Sequence, residues 1–438
     1  MALGGVTMKD TDGNIGYTSK TETEKVTGLL FDISGQTDFW TNEPGLSLKD
    51  KLQGNVIEIN SMADLEKLGI TKADPDVSKG LFNGVVYYHV NHFFQIQGEN
   101  GRLFLMFADC SKNWDAIDKM QNVAHGLIHQ LGVYTDQSLW KLAEPEGEFY
   151  SVELVTALNN KARDLANNNM PLSIVLQANS GVITTHDGTS DKVELAKIPS
   201  CKMDARYVTV VLSQDLDAEI TKMQVANKKK TPVGVVGACL GCLAKAHVHE
   251  SFAWVDKFNL AGYFSDIEMG FGDLTSKDSG FTSTMAYSSF NKVQLDVLDD
   301  KGYVFLCKQP GLEGGVFFSK DQTSSNEQSD YRTVARNRTI NKSRRAVRNV
   351  LLPFVNSPLK IDPSSGKLSS AKITMFQNLV GDVLMTMQNN EEISGYSVKI
   401  DADQNVLKND TLIIKYSLVP IGVATNIEVI EGLALTNK

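Results

Sequence analysis

Short apolar runs separated by amphipathic stretches dominate the chain up to about residue 213. Trp114 to Ile128 and Val152 to Leu165 carry apolar residues at helical spacing. The apolar runs around them have the length and composition of buried strands, and they are residues 28–34, 103–108, 131–135, 172–177 and 207–213. Strands that alternate with helices predict an α/β core domain built on a mostly parallel sheet. The polar residues 178–202 predict an excursion from that sheet, in the form of a hairpin.

Two other segments are interpreted from their composition. Tyr87 to Phe94 is rich in aromatic residues, and we expect a strand that packs aromatic rings on both faces. Val233 to Ala246 consists of small and apolar residues and predicts a buried helix. Its glycines would let another backbone approach closely, and they are Gly234, Gly237 and Gly241.

The polar, turn-prone segment Lys320 to Asp330 predicts the end of the core domain, which then spans residues 28–325. A smaller α+β domain, residues 326–424, is predicted to contain two helices. The first covers 338–354 and the second begins at Ser369 or Ser370. An antiparallel or mixed sheet is predicted to follow, with strands at 396–400, 412–419 and 423–430. Extended terminal arms, residues 1–27 and 425–438, complete the chain.

Composition excludes several classes of protein. The chain has 438 residues, of which 42% are hydrophobic and 22% are charged, so it is neither disordered nor collagen-like. No apolar stretch is long enough for a transmembrane helix, and the polar N-terminus lacks the apolar region of a secretory signal. Five cysteines, an odd number in a long chain, argue against a disulfide scaffold and favour synthesis in a reducing compartment.

Charge is distributed unevenly along the sequence. Residues 332–348 contain seven cationic residues and no acidic one, and subtracting these seven from the net charge of −9 leaves −16 for the rest. A helix with charges of one sign repels itself, which favours an acidic partner surface opposite it. Nucleic acid is the less favoured partner, because the protein is acidic and no aromatic residue interrupts this run.

Candidate metal and catalytic residues were compared with known motifs. Cys239, Cys242, His247 and His249 have the residue types of a zinc site, but both pairs lie within about three helical turns, so a buried apolar helix is the favoured interpretation. His125 and His129 lack the glutamate of HExxH. We therefore expect no catalytic residue, no metal and no cofactor. Two alternatives stay open: an α/β enzyme with Asp109, His89 and His92 in a crevice, and a metal-binding protein that uses the Cys and His pairs.

Three segments resemble the tail sheath proteins of contractile phages and related contractile injection systems. Gly302 to Thr323 is similar to a strand pair around a glycine-rich turn, and Tyr331 to Phe354 is similar to an Arg-rich helix. Ile393 to Glu431, with Gly395-Tyr396-Ser397-Val398, is similar to the last strands and the trailing arm of that family. The order of the segments carries the resemblance, which covers roughly residues 55–435.

The resemblance implies a structural, non-enzymatic protein. Sheath subunits stack as hexameric rings around an inner tube, and contraction drives the tube through a cell envelope. The implied partners are other copies of the chain, the tube protein, and the baseplate and tail terminator proteins, without direct contact to nucleic acid or membrane. The implied location is a virion tail that is assembled in the cytoplasm of a bacterial host.

The resemblance also implies roles for particular residues. A basic helix would contact the tube, and its cationic residues are Arg336, Arg338, Lys342, Arg344, Arg345 and Arg348. Neighbouring subunits would be linked by strand addition through the arms, with Gly4, Gly5, Val6, Ile15 and Tyr17 at one end and Ile427, Val429, Leu433 and Leu435 at the other. Hinges are expected at Gly28 and Gly422.

Overall fold

A computed structural model describes most of the chain from Thr23 onward. The described residues are 23–34, 52–72, 81–98, 101–135, 137, 139–142, 149–151, 153–177, 184–186, 191–193, 198–211, 215, 233–264, 267, 287, 290–312, 314–363, 366–404, 406–425, 427–429, 431 and 433. Six predicted arm residues, Gly4, Gly5, Val6, Ile15, Tyr17 and Leu435, lie outside them.

Helices and strands alternate along the described core and give way to a helix pair and a hairpin at the C-terminal end. The helices are α1 (Met62–Lys67), α2 (Leu81–Gln97), α3 (Asp115–Val123), α4 (Leu154–Asn167), α5 (Val236–Lys245), α6 (Lys292–Asp300), α7 (Val334–Leu351), α8 (Ser370–Asn389) and α9 (Val406–Asn409). The strands are β1 (Thr27–Asp32), β2 (Val56–Ile59), β3 (Leu103–Ala108), β4 (Gln130–Tyr134), β5 (Trp140–Leu142), β6 (Phe149–Ser151), β7 (Ser173–Gln177), β8 (Thr184–His186), β9 (Asp191–Val193), β10 (Val208–Val211), β11 (Tyr303–Val304), β12 (Leu306–Cys307), β13 (Phe317–Phe318), β14 (Ile393–Ile400) and β15 (Ile414–Pro420).

Seven strands form the central sheet, in the order β11-β10-β7-β4-β1-β3-β2. Only β2 is antiparallel to its neighbour, β3. Every residue of β1, β3, β4, β7 and β10 is buried, as expected for a parallel sheet that is covered on both faces. The predicted α/β class with a mostly parallel sheet is confirmed, and the excursion after β7 contains the antiparallel hairpin β8–β9.

Gly28 lies inside β1, opposite Phe104 of β3 and Leu131 of β4. A Cβ atom at Gly28 would lie 2.8 Å from Leu131 Cδ1, so glycine makes room for the side chains of the adjacent strand. A residue paired on both sides in a buried sheet cannot rotate without breaking the sheet. The prediction of a hinge at Gly28 is therefore wrong, and the core already includes the short 3₁₀ turn Thr23–Lys25.

Two hydrophobic cores cover the two faces of the sheet. One contains α3, α4 and α6, and the other contains α2, α5 and apolar residues of 252–267. Residues 87–94 lie in α2, so the prediction of an aromatic strand there is wrong. The reason is visible in the buried residues Phe82, Val86, Val90 and Phe93, which repeat every three or four positions and form one helix face.

α5 crosses α2 at close range, as the glycines of α5 predicted. A Cβ atom on Gly237 would overlap the backbone carbonyl of His89, and one on Gly241 would lie 3.1 Å from the carbonyl oxygen of Phe93. The Gly237 amide donates a hydrogen bond to Nδ1 of His89. The two helices therefore touch through their backbones, because glycine lacks the Cβ that would separate them.

The first half of the segment Lys320 to Asp330 is packed along the core, although the whole segment is polar, and residues 326–328 and Asp330 are exposed. Asp321 to Ser325 are all buried, and the Ser324 amide donates to the carbonyl of Val208 in β10. This connector leads directly into α7. The C-terminal unit therefore starts from a fixed point on the sheet.

In the C-terminal unit, α7 and α8 pack against each other and against the antiparallel hairpin β14–β15. Its small core is formed by the buried residues Val347, Val380, Leu384, Met387 and Ile393. The described residues of 421–429 form no strand, so the third predicted strand is wrong for a single copy of the chain. Among the described helices, none combines the length and the apolar character needed to cross a lipid bilayer.

Candidate functional site

The cationic residues of α7 do not all face solvent. Arg338 is only 5% exposed, and its guanidinium donates to the carbonyls of Ala246 and His247 at 3.2 and 3.3 Å. These carbonyls follow the last turn of α5, where the helix dipole favours a positive charge. Arg338 therefore fixes α7 to the end of α5, and the prediction that it is presented on an exposed face is wrong.

Arg345 connects α7 to the beginning of the described chain. Its Nη2 donates to Glu24 Oε2 at 2.5 Å, and His129 Nδ1 lies 3.5 Å from the same oxygen. Burial raises the pKa of Glu24, but the positive charges of Arg345 and His129 outweigh burial and hold that pKa below its ordinary value. Glu24 lies in the 3₁₀ turn Thr23–Lys25 shortly before β1, so this ion pair joins the start of the core to the C-terminal helix.

Lys342 forms a second ion pair within the chain. Its ammonium group donates to the carboxylate of Glu392, which is 5% exposed and directly precedes β14. Lys342 and Arg345 thus serve contacts within the chain. Among the described residues, Arg336, Arg344 and Arg348 form no ion pair, and Arg348 is exposed.

The beginning of α7 is held by a buried carboxylate. Asp321 accepts hydrogen bonds from the amides of Val334 and Ala335, at 3.0 and 3.2 Å, and Thr333 Oγ1 accepts one from the amide of Arg336. Burial raises the pKa of Asp321 to about 6, although these amides and the neighbouring Arg338 favour the ionised form. The core and the C-terminal unit are therefore joined by electrostatic contacts at two places. One is the contact of Asp321 with the start of α7, and the other is the Glu24–Arg345 ion pair.

The hairpin and the segment after it expose apolar side chains. Val419 at the end of β15 is 57% exposed, and Ile427 and Val429 are 82% and 80% exposed. Residues 421–425 and Ile427 line a cleft of about 1730 Å³, together with Trp254, Phe290 and Leu312. Gly422 lies in this segment, and a Cβ atom there would meet nothing within 4 Å. A side chain at position 422 would therefore meet no steric obstacle.

The Cys and His candidates for a metal site have different surroundings. Cys239 and Cys242 lie in the apolar core, where burial raises the pKa of each thiol, whereas His247 is exposed and its ring stacks on His249 with centroids 6.0 Å apart. No group of three His, Cys, Asp or Glu residues that could hold a metal occurs in the part of the chain that the structure describes.

The residues of the enzyme alternative also have structural surroundings. His89 is completely buried in α2, and burial lowers its pKa to about 3. Asp109 is exposed at the end of β3 and accepts a hydrogen bond from the amide of Ser111 in a local turn. His92 is stacked on Phe264. This arrangement is explained by packing and by turn geometry.

Comparisons with known proteins identify both parts of the chain. Residues 3–322 match the family model DUF2586, N-terminal domain, and residues 330–438 match the model DUF2586, C-terminal domain. The two matches meet within the connector before α7. No curated protein matches the sequence significantly.

Three solved structures are similar over the whole chain. A chain of the 6-fold symmetrised baseplate of the anti-feeding prophage (AFP) is 13% identical, with a TM-score of 0.55, and the match covers 99% of this chain and 100% of that one. The AFP helical sheath in the contracted state has the same identity and TM-score and covers 100% of both chains. The PVC sheath complex of an extracellular contractile injection system, also contracted, is 12% identical, with a TM-score of 0.54, and the match covers 99% of this chain and 98% of that one. The chain therefore has the fold of contractile sheath proteins.

Proposed function

We propose that this chain, which belongs to the DUF2586 family, is the structural subunit of a contractile sheath. The observation that carries the proposal is the similarity in fold to the AFP and PVC sheaths, which extends over the core and the C-terminal unit together. The proposal includes stacked, hexameric rings that surround an inner tube and contract to drive it through an envelope. In this function the chain acts without catalysing a reaction.

The sheet of the C-terminal unit has too few strands to cover the two helices that pack against it. This shortage supports the proposal that the chain assembles with other copies. Two packed helices about 8–10 Å apart, each about 10 Å wide, present a face about 20 Å across. Strands spaced by about 4.8 Å would cover that face with four members, whereas the described hairpin has two. The inward side chains of the hairpin are correspondingly only half-buried, and they are Tyr396, Val398, Ile414, Tyr416 and Leu418.

The missing strands are proposed to come from neighbouring copies. The exposed alternating residues Ile427, Val429 and Leu433 suit a strand that buries one face on another subunit. The arm residues 1–22 are the second proposed donor, with Gly422 as the hinge of the C-terminal arm. Each backbone hydrogen bond gained adds about 0.5–1.5 kcal/mol, so four to six of them link neighbours by a few kcal/mol.

The tube contact is proposed to use the cations of α7 that the chain itself leaves unpaired. Arg344 and Arg348 meet this condition, whereas Arg338, Lys342 and Arg345 are engaged inside the molecule. Exposed ion pairs are individually weak, which suits contacts that must release together during contraction. Baseplate and tail terminator proteins are proposed as the partners at the two ends of the sheath. The proposed location is a virion tail that is assembled in the host cytoplasm.

The arm proposal is tested by changing side chains that the single chain leaves in solvent. Ile427→Asp combined with Val429→Asp should abolish polymers while leaving the unfolding midpoint unchanged, because both side chains are about 80% exposed. Sedimentation velocity and electron microscopy would measure assembly. Val293→Asp is the matched control, since Val293 is 71% exposed on α6 and should leave assembly intact.

Deletion of residues 1–16 tests the second donor in the same assay. A folded monomer that no longer polymerises is expected. Polymers as abundant as those of the unmodified protein, in both the double variant and the deletion, would contradict strand exchange between neighbours.

A further inference from the structure

A polar cavity lies where the core, the start of α7 and the segment after β15 meet. Its volume is about 370 Å³. Lys202 and His249 belong to the core, residues 320–336 form the floor, and residues 420–425 form the opposite wall. A cavity of this size suits a small polar ligand.

The charges around this cavity favour an anion. Four cationic side chains border it, namely Lys202, Lys320, Arg332 and Arg336, against the two carboxylates of Asp321 and Glu327. Asp321 is occupied by the amides at the start of α7, and Glu327 is paired with Lys202 at 2.7 Å. Lys320 is paired with Asp299.

The guanidinium groups of Arg332 and Arg336 keep most of their N–H donors free of contacts among the described residues. Arg332 donates to the carbonyl of Glu327 at 3.3 Å and Arg336 to the carbonyl of Asp330 at 3.4 Å, and neither forms an ion pair among the described residues. A guanidinium group presents several N–H donors in a planar fork, and one long bond to a carbonyl leaves most of them free. The fork geometry matches phosphate and carboxylate oxygens.

A buried hydroxyl provides an independent sign of a ligand. Ser325 borders the cavity and is 2% exposed, and its Oγ has no hydrogen-bond partner among the described residues. Buried hydroxyls in proteins are nearly always paired, so a missing partner needs an explanation. A ligand oxygen in the cavity would supply that partner.

We propose that this cavity binds a small oxyanion of the phosphate class, held by the guanidinium groups of Arg332 and Arg336 and by the hydroxyl of Ser325. Residues of 420–425 also line the cavity, so an anion bound there would lie between the C-terminal segment and the core. This inference is independent of the proposed function, because it concerns a site within one copy of the chain.

The test is a titration of the full chain with inorganic phosphate, using chloride at equal ionic strength as the reference. Phosphate should raise the unfolding midpoint, and ³¹P NMR line broadening should give its dissociation constant. Loss of a charged donor in Arg336→Gln should weaken binding about tenfold or more, and loss of a neutral donor in Ser325→Ala about fivefold. Arg163→Gln, the same change at an exposed residue of α4, should bind as the unmodified protein does.

The unfolding midpoint of each variant without phosphate shows whether that variant is folded. No effect of phosphate beyond that of chloride would overturn the proposal. Phosphate binding as tight in either cavity variant as in the unmodified protein would overturn it as well, because the anion would then bind elsewhere.

Discussion

At the residue scale, α7 carries two groups of cationic side chains. Arg338, Lys342 and Arg345 are bound to carbonyl or carboxylate groups of the same chain, whereas Arg344 and Arg348 are not paired among the described residues. The sequence could predict the run of positive charge but not this division. The partner of Arg345 is 321 positions away in the chain, and that of Lys342 is 50 positions away, so no local pattern indicates either pair.

The Glu24–Arg345 pair should contribute measurably to stability. Arg345→Met would leave Glu24, which is partly buried, with His129 beside it but without the guanidinium, and we expect the free energy of unfolding to fall by about 2–3 kcal/mol. Glu24→Gln should recover part of that loss in a double-mutant cycle. Lys367→Met, which breaks the exposed pair with Asp403, is the control and should cost less. Urea unfolding measures both losses. Equal losses in Arg345→Met and Lys367→Met would contradict the view that the Glu24–Arg345 pair is better shielded from solvent than the exposed pair.

Asp321 should give the stability a specific pH dependence. Its pKa is about 6 in the folded chain against an ordinary value of 3.8, so the folded chain binds this proton more tightly than the unfolded chain. The protonation of Asp321 therefore stabilises the folded chain at low pH, and this contribution is lost as the pH rises from about 4 to about 6. Relative to the unmodified protein, Asp321→Asn should therefore gain about 2–3 kcal/mol across this window. Urea unfolding in phosphate-free buffer measures it, and a difference that does not change with pH would contradict it.

At the scale of elements, the sequence is most informative where burial is complete. The apolar runs of β1, β3, β4, β7 and β10 could be located because strands covered on both faces read as nearly continuous apolar runs. The aromatic residues of α2 were misassigned, since a helix buried on most sides loses the polar stripe that distinguishes it from a strand. The connector before α7 is polar in sequence and yet buried up to Ser325, because distant partners satisfy its polar groups, as the Thr209 hydroxyl does by donating to the Gln322 carbonyl.

Glycine residues make the close crossing of helices α2 and α5 possible. Gly237→Ala would place a methyl group against the backbone carbonyl of His89, which cannot move without distorting α2. We expect a loss of about 3 kcal/mol or more in the free energy of unfolding. Gly262→Ala is the control, because a Cβ there meets nothing within 4 Å. Similar urea midpoints for the two variants would show that the helices are not in backbone contact.

At the scale of the whole molecule, a completed core carries an incomplete C-terminal unit. The core has a seven-stranded sheet with helices on both faces, whereas the hairpin β14–β15 pairs with no further strand among the described residues and is followed by exposed apolar side chains. The predicted third C-terminal strand, 423–430, is not formed by the described residues of a single copy. A strand-like sequence in an exposed segment is expected when the partner of the strand is another molecule.

Electron microscopy of the purified full-length protein, with sedimentation velocity on the same sample, tests the central claim most directly. If the chain is a sheath subunit, raising its concentration should produce stacked rings or hollow helical tubes with a regular repeat. A monodisperse monomer at every concentration, with no ordered polymer in the images, would contradict self-assembly as the function of this fold.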